Sequence, residues 1–187
     1  MLGRRRNLAS IATLIGLLVL VGPAGPASAQ CGPDPAFDGD GVLVSDFGSV
    51  DEGAHGVAAL PDGAAIVVGE SGRRITAARY LSDGTLDPAF GTGGVVQIFH
   101  DDVFSSAAHD VAVQPDGKLV LAGTAFAAVS GSSVYDIAVA RLNPDGTRDT
   151  SFGGGDGVIY LNLQDRQDRA AAVTVDGAGR IVVAGQT

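Results

Sequence analysis

From Val42 onward the apolar residues arrive in short bursts rather than in stripes of helical spacing. Val42-Leu43-Val44, Val95-Val96-Gln97-Ile98-Phe99 and Val158-Ile159-Tyr160-Leu161 are β-branched or aromatic and follow glycines directly, which predicts strands. A second set, Val57-Ala58-Ala59, Val111-Ala112-Val113 and Val173-Thr174-Val175, runs into Pro61-Asp62-Gly63, Pro115-Asp116-Gly117 and the variant Gly177-Ala178-Gly179. Proline presets φ and glycine takes a positive φ, so these are hairpin turns. The runs after them, Ile66–Gly69, Leu119–Gly123 and Ile181–Gly185, have no polar alternation and are expected to be buried on both faces. Fourth runs, Ile75–Tyr80 and Ile137–Leu142, lead to Asp83-Gly84-Thr85 and Asp145-Gly146-Thr147.

This order of events repeats. Each copy opens on an acidic-to-aromatic motif: Asp34-Pro35-Ala36-Phe37, Asp87-Pro88-Ala89-Phe90 and Asp149-Thr150-Ser151-Phe152, with phenylalanines 53 and 62 residues apart. A repeat that cannot bury its own apolar face must stack on its neighbours. Four strands joined by short turns, without helical periodicity, predict a propeller blade. Complete blades are expected at 54–99 and 107–163, a half blade at 170–185, and an orphan strand at Val42–Phe47. The expected fold is thus all-β: an incomplete β-propeller of about two and a half four-stranded blades plus an N-terminal orphan strand. A closed ring takes roughly four to eight blades, so the repeats at 42–187 read as truncated or open.

Residues 1–29 read as an export signal, and 30–41 as an N-terminal segment. Arg4, Arg5 and Arg6 precede the apolar stretch Leu8–Val21, and Ala27-Ser28-Ala29 supplies a small-residue cleavage site. Leu8–Val21 is 14 residues, and spanning a bilayer takes roughly 20. No membrane attachment is expected after cleavage. Exported, the protein would be secreted, periplasmic or at the cell surface. Cys31 is the single cysteine, which rules out an internal disulfide; beside the cleavage site it is either a plain thiol or a lipidation point. Losing the three arginines leaves 9 basic against 21 acidic residues, a net charge of −12. That charge repels phosphate backbones and argues against nucleic-acid binding.

The segments Leu86-Asp87-Pro88-Ala89-Phe90-Gly91-Thr92-Gly93-Gly94-Val95, Ala112–Gly123 and Asp136–Thr147, in that order, resemble the delta-60 repeat. The resemblance covers residues 34–187 and departs from the pattern at Gly177-Ala178-Gly179. It implies a β-propeller of unknown function in exported bacterial proteins and carries no catalytic residues over.

Arg79 and Arg141 hold equivalent places on otherwise apolar strand faces, and Asp87 or Asp149 follows each. An arginine there suits a carboxylate partner, so with Phe37, Phe90 and Phe152 these are read as structural repeat residues. His55 and His109 also match, against Ala171 in the third copy. With Asp101 and Asp102 they form a weak candidate metal set, and calcium is the alternative cation for the acidic turns. No further ligand stands at metal-site spacing, so no cofactor is expected. Between copies one and two, 8 extra residues precede the matched arginine, which makes Thr124–Val134, with Phe126, Val129 and Ser130, an enlarged candidate recognition loop. No nucleophile elbow, zinc-protease motif or dinucleotide loop is present in the sequence.

These features favour an exported non-enzymatic repeat protein, a binding or structural module. Its partner would be a cell-surface protein, a polysaccharide or further propeller blades. The alternatives are a sugar- or lactone-acting, metal-dependent propeller enzyme, and a fragment of a larger secreted delta-60 repeat protein.

Overall fold

The computed structural model describes residues 16–19, 33, 37–98, 103–129, 132–163 and 167–187, and every regular element among them is a β-strand. In chain order these are β1 (Gly16–Val19), β2 (Val42–Ser45), β3 (Glu52–Ala59), β4 (Ala65–Ser71), β5 (Arg74–Tyr80) and β6 (Val95–Ile98). There follow β7 (Val103–Val113), β8 (Leu119–Val129), β9 (Ser132–Leu142), β10 (Val158–Leu161), β11 (Arg169–Val175) and β12 (Ile181–Gln186). β3-β4-β5-β6 and β7-β8-β9-β10 are antiparallel four-stranded sheets, and β11-β12 and β1-β2 are two-stranded. The fold is all-β, an incomplete propeller of two whole blades and a half blade whose sheets do not close into a ring.

Period-two alternation decides which blade touches which. Ile66, Val68, Ile75 and Ala77 of the first blade meet Leu119, Leu121, Ala138, Ala140 and Leu142 of the second in one buried cluster. The residues between them in sequence, Val120, Ala122, Ile137 and Val139, turn the other way and pack with Ala170, Val173, Ile181 and Val183 of the half blade. The frequent alanines bring the sheets close together without polar atoms to satisfy.

Each inner strand is bulged where it passes its neighbour, at Ala54/Gly56, Ala108/Asp110 and Ala170/Ala172. A Cβ on the facing Gly69, Gly123 or Gly185 would lie 1.7, 1.9 or 1.9 Å from a carbonyl oxygen of that strand. Glycine ends the runs Ile66–Gly69, Leu119–Gly123 and Ile181–Gly185 because nothing larger fits.

Three expectations need correction. Ile181–Gly185 is not buried on both faces: Val182 is 47 % exposed, because among the described residues no sheet packs on its outer side. Thr124–Val134 is not a loop: β8 and β9 run through it, paired from Thr124↔Ile137 to Val129↔Ser132. The extra residues lengthen both strands equally, so the ladder simply continues, with Phe126 and Val129 inside β8; Ser130 lies outside the described residues. The orphan strand is shorter than the expected Val42–Phe47, spanning Val42–Ser45, and pairs with Gly16–Val19. An open strand edge carries unpaired amides and carbonyls, and a nearby extended apolar segment satisfies them.

Candidate functional site

β3 and β7 carry the same Ala-His step at their bulges, Ala54-His55 and Ala108-His109, and the blade stacking brings the two imidazoles together. Their ring centroids are 5.6 Å apart and their planes 80° apart. The surroundings then separate their roles. His55 Nε2 lies 2.6 Å from Glu70 Oε2 on β4, next to the bulge. His109 Nδ1 lies 2.7 Å from the Ala170 carbonyl oxygen. A carbonyl only accepts, so Nδ1 carries the proton and donates, which fixes this ring as a strut to the half blade.

Asp110 adds a second strut. Its Oδ2 accepts from the Val173 amide at 2.8 Å and its Oδ1 from the Val111 amide at 2.9 Å. In the first blade the matching residue is Gly56, where a Cβ would sit 2.9 Å from Asp110 Cα. The first blade gives up that side chain so that the second can approach.

Between these blades opens a polar cleft lined by Asp51, His55, Glu70, Arg73, Ser105 and His109. One wall is the β4–β5 hairpin, held to β7 by the Ser106 amide donating to the Arg73 carbonyl (2.8 Å) and the Ile75 amide donating to Ser106 Oγ (3.1 Å). Asp51 and Arg73 pair across the rim at 3.4 Å. The other wall belongs to the lengthened end of the second blade. The same lengthening carries an aromatic strip: Phe104, 66 % exposed, stands 6.2 Å from Phe126, which stands 4.9 Å from Tyr135. Arg169 caps Tyr135 with its guanidinium 4.9 Å from the ring centre. Carboxylates, imidazoles, a guanidinium and hydroxyls suit hydroxyl-rich ligands, and exposed aromatic faces suit flat apolar ones.

The repeated charged residues are placed elsewhere. Arg79 Nε lies 3.2 Å from Asp87 and its Nη2 2.5 Å from Asp62, so it ties the end of β5 to the β3–β4 turn. Arg141 Nε donates to Asp149 Oδ2 at 2.7 Å, and Lys118 Nζ reaches the same oxygen at 3.0 Å. The Ser151 hydroxyl, then Lys118 and Arg141, hold the Asp149 carboxyl well below the usual carboxylate range, against some burial. Arg141 also covers the Phe152 ring at 4.5 Å. Phe37 and Phe90 are fully buried, while Phe152 is half-buried beside the half blade.

Glu52 and Asp168 turn inward rather than toward solvent. Glu52 accepts from the Phe47 and Ser49 amides at 3.0 and 3.1 Å, and Asp168 from the Leu163 amide at 2.6 Å. Asp101 and Asp102 lie outside the described residues, and among those described no group of three or more His, Cys, Asp or Glu gathers to hold a metal. Glu70 and Asp110 escaped the sequence reading. Counting back through the hairpin would have placed Glu70 opposite Ala54, beside His55, and the bulge at Ala54/Gly56 moves it to Gly53; the His-Gly against His-Asp difference between copies was the trace of Asp110.

No curated protein matches the chain. A family model described as a domain of unknown function (DUF5122) beta-propeller matches residues 60–90 and 114–152, the central strands and turns of both complete blades. Over those stretches the chain is similar to a propeller repeat family, a likeness that supports the fold and brings no activity with it.

Proposed function

We propose that the chain is an exported, non-enzymatic binding module of the delta-60 repeat kind, working in the periplasm, at the cell surface or outside the cell. The N-terminal arginines, apolar stretch and Ala-Ser-Ala site support export. The observation that carries the binding reading is the lengthened end of the second blade. There the strands outrun those of the first blade and put a polar cleft on one flank and an aromatic strip at the tip. Elements lengthened away from the packed core and bearing exposed aromatics serve recognition more than stability.

The ligand class this mixture suits best is a neutral polysaccharide. Glu70, His55 and Ser105 offer acceptors and donors to hydroxyls, and Phe104 offers a face for a sugar ring. Binding of purified protein to a panel of bacterial and plant polysaccharides, read by affinity electrophoresis, tests it. Retardation that weakens in both Phe104→Ala and Glu70→Gln is expected. Retardation unchanged in both variants would remove the reading.

One observation favours the enzyme alternative: the His55–Glu70 pair has the geometry of an acid–base couple. Hydrolysis of sugar or lactone substrates abolished by His55→Ala would establish it.

A further inference from the structure

The cleft between the two complete blades is lined so that protonating its histidines reverses its charge. Two carboxylates, Asp51 and Glu70, one guanidinium, Arg73, and two imidazoles, His55 and His109, face it. With neutral imidazoles the carboxylates outnumber the single cation. With both imidazoles protonated, three cationic groups face two carboxylates. Histidine is the side chain whose charge changes between about pH 5 and 8.

The two imidazoles do not contribute equally. Glu70 lies 2.6 Å from His55 Nε2, so a proton on His55 completes a pair already in place. Arg73 is matched by Asp51 at 3.4 Å. His109 is different. Its Nδ1–H donates to the Ala170 carbonyl, so an added proton goes to Nε2, and among the described residues no carboxylate pairs with this ring.

The other charged groups nearby are engaged elsewhere. Asp110, next in the chain, has its two oxygens on the Val111 and Val173 amides. Glu52 of β3 is turned onto the Phe47 and Ser49 amides, and Arg74 of β5 donates to Gln97 Oε1. β8 carries no titratable residue. β11 brings Asp168, which accepts from the Leu163 amide, and Arg169, laid over Tyr135. The third copy has Ala171 at the histidine position, so the seam with the half blade holds no such pair.

We propose that the cleft, once His109 is protonated, takes a carboxylate-bearing sugar, a uronate residue of an acidic polysaccharide. The sugar carboxylate sits on His109, and ring hydroxyls meet Ser105, Glu70 and Asp51. The proposal rests on the polysaccharide reading above and adds a charged ligand class with its pH window. An acidic peptide suits the cleft less well, because it offers Glu70 and Asp51 no hydroxyls and sets its own negative charges against theirs.

Calorimetric titration of the purified protein with tri-galacturonate and with its methyl ester, at about pH 5 and about pH 7.5, tests it. The uronate should bind about tenfold more tightly in acid, the gain expected of one charge-assisted hydrogen bond. His109→Gln, which keeps an amide donor, should remove that gain and leave the ester's affinity unchanged. Equal uronate affinity at both pH values, a gain kept in His109→Gln, an ester that gains as much in acid, or polyglutamate binding as tightly as the uronate would each overturn the proposal. Ester binding without an acid gain for the uronate would leave the neutral-polysaccharide reading standing alone. An acid gain for the uronate without ester binding would uphold this proposal and remove the neutral one.

Discussion

Phe90 of the first blade is seated against Gly146 of the second. A Cβ at Gly146 would lie 3.1 Å from Phe90 Cδ2 and 2.9 Å from the Gly91 nitrogen, and the Gly91 amide donates to the Asp145 carbonyl at 2.8 Å. Phe37 does the same one blade earlier: Gly84 faces its ring, and the Asp38 amide donates to the Asp83 carbonyl at 3.1 Å. The aromatic residue of an opening motif therefore latches its strand onto the Asp-Gly-Thr turn of the blade that follows.

Gly146→Ala should be costly for two separate reasons. The residue sits at φ +85°, where a side chain is strained, and its Cβ would displace the latch. A loss of about 2–5 kcal/mol in urea unfolding is expected. A loss under about 0.5 kcal/mol, the range of ordinary surface changes, would refute the latch.

Leu121 and Val182 contrast a covered blade face with an open one. Leu121 is fully buried between the two complete blades, so Leu121→Ala should cost about 2–5 kcal/mol. Val182 lies on the uncovered side of the half blade, and Val182→Ala should stay within about 0.5 kcal/mol. Equal losses would mean that the faces are wrongly assigned.

Asp149 gives a pH signature. Its carboxyl is depressed below the ordinary value, first by the Ser151 hydroxyl and then by Lys118 and Arg141. A depressed acid stabilises the fold above its unfolded pKa of about 3.9 and loses that contribution as pH falls toward the folded value. The melting temperature of Asp149→Asn should therefore lie below wild type by a constant gap above about pH 5, narrowing in more acidic buffer. A gap that widens on acidification would contradict this.

Tyr80 behaves in the opposite sense. Burial, and then the nearby Glu52 carboxylate, raise its phenol above the usual value, although its hydroxyl donates to Ser45 Oγ at 2.7 Å. The stabilisation is full below about pH 10 and fades as pH climbs through the raised value. Burial raises the Tyr160 phenol as well, so absorbance titration near 295 nm should show two late-ionising phenols, one of which is lost in Tyr80→Phe, with about 0.5–1.5 kcal/mol lost for the missing hydrogen bond. An unchanged titration curve would place that phenol elsewhere.

Strands, turns and blade phase were legible in the residues because each is settled within about ten positions. Val-Val-Gly runs, Pro-Asp-Gly turns and repeat spacing depend on backbone preference and local alternation. Partners across the stack were not legible in the same way. His55 and His109 look identical in sequence, yet one faces Glu70 and the other is spent on Ala170. The extra residues after Gly123 read as a loop and became a longer hairpin, because pairing on both strands outweighs a serine-rich composition. Ile181–Gly185 has the composition of a buried strand, yet burial also needs a sheet on the far side.

By itself the sequence determined an all-β repeat, its unit, its punctuation and its acidic surface. The tertiary structure alone decided which faces meet, that Asp62 and Lys118 join the expected arginine–aspartate pairs, and that the opening phenylalanines are latches. The reason is physical: strand propensity is a property of neighbours along the chain, whereas register, bulges and sheet stacking set contacts between residues some 50 positions apart, as between Phe90 and Gly146.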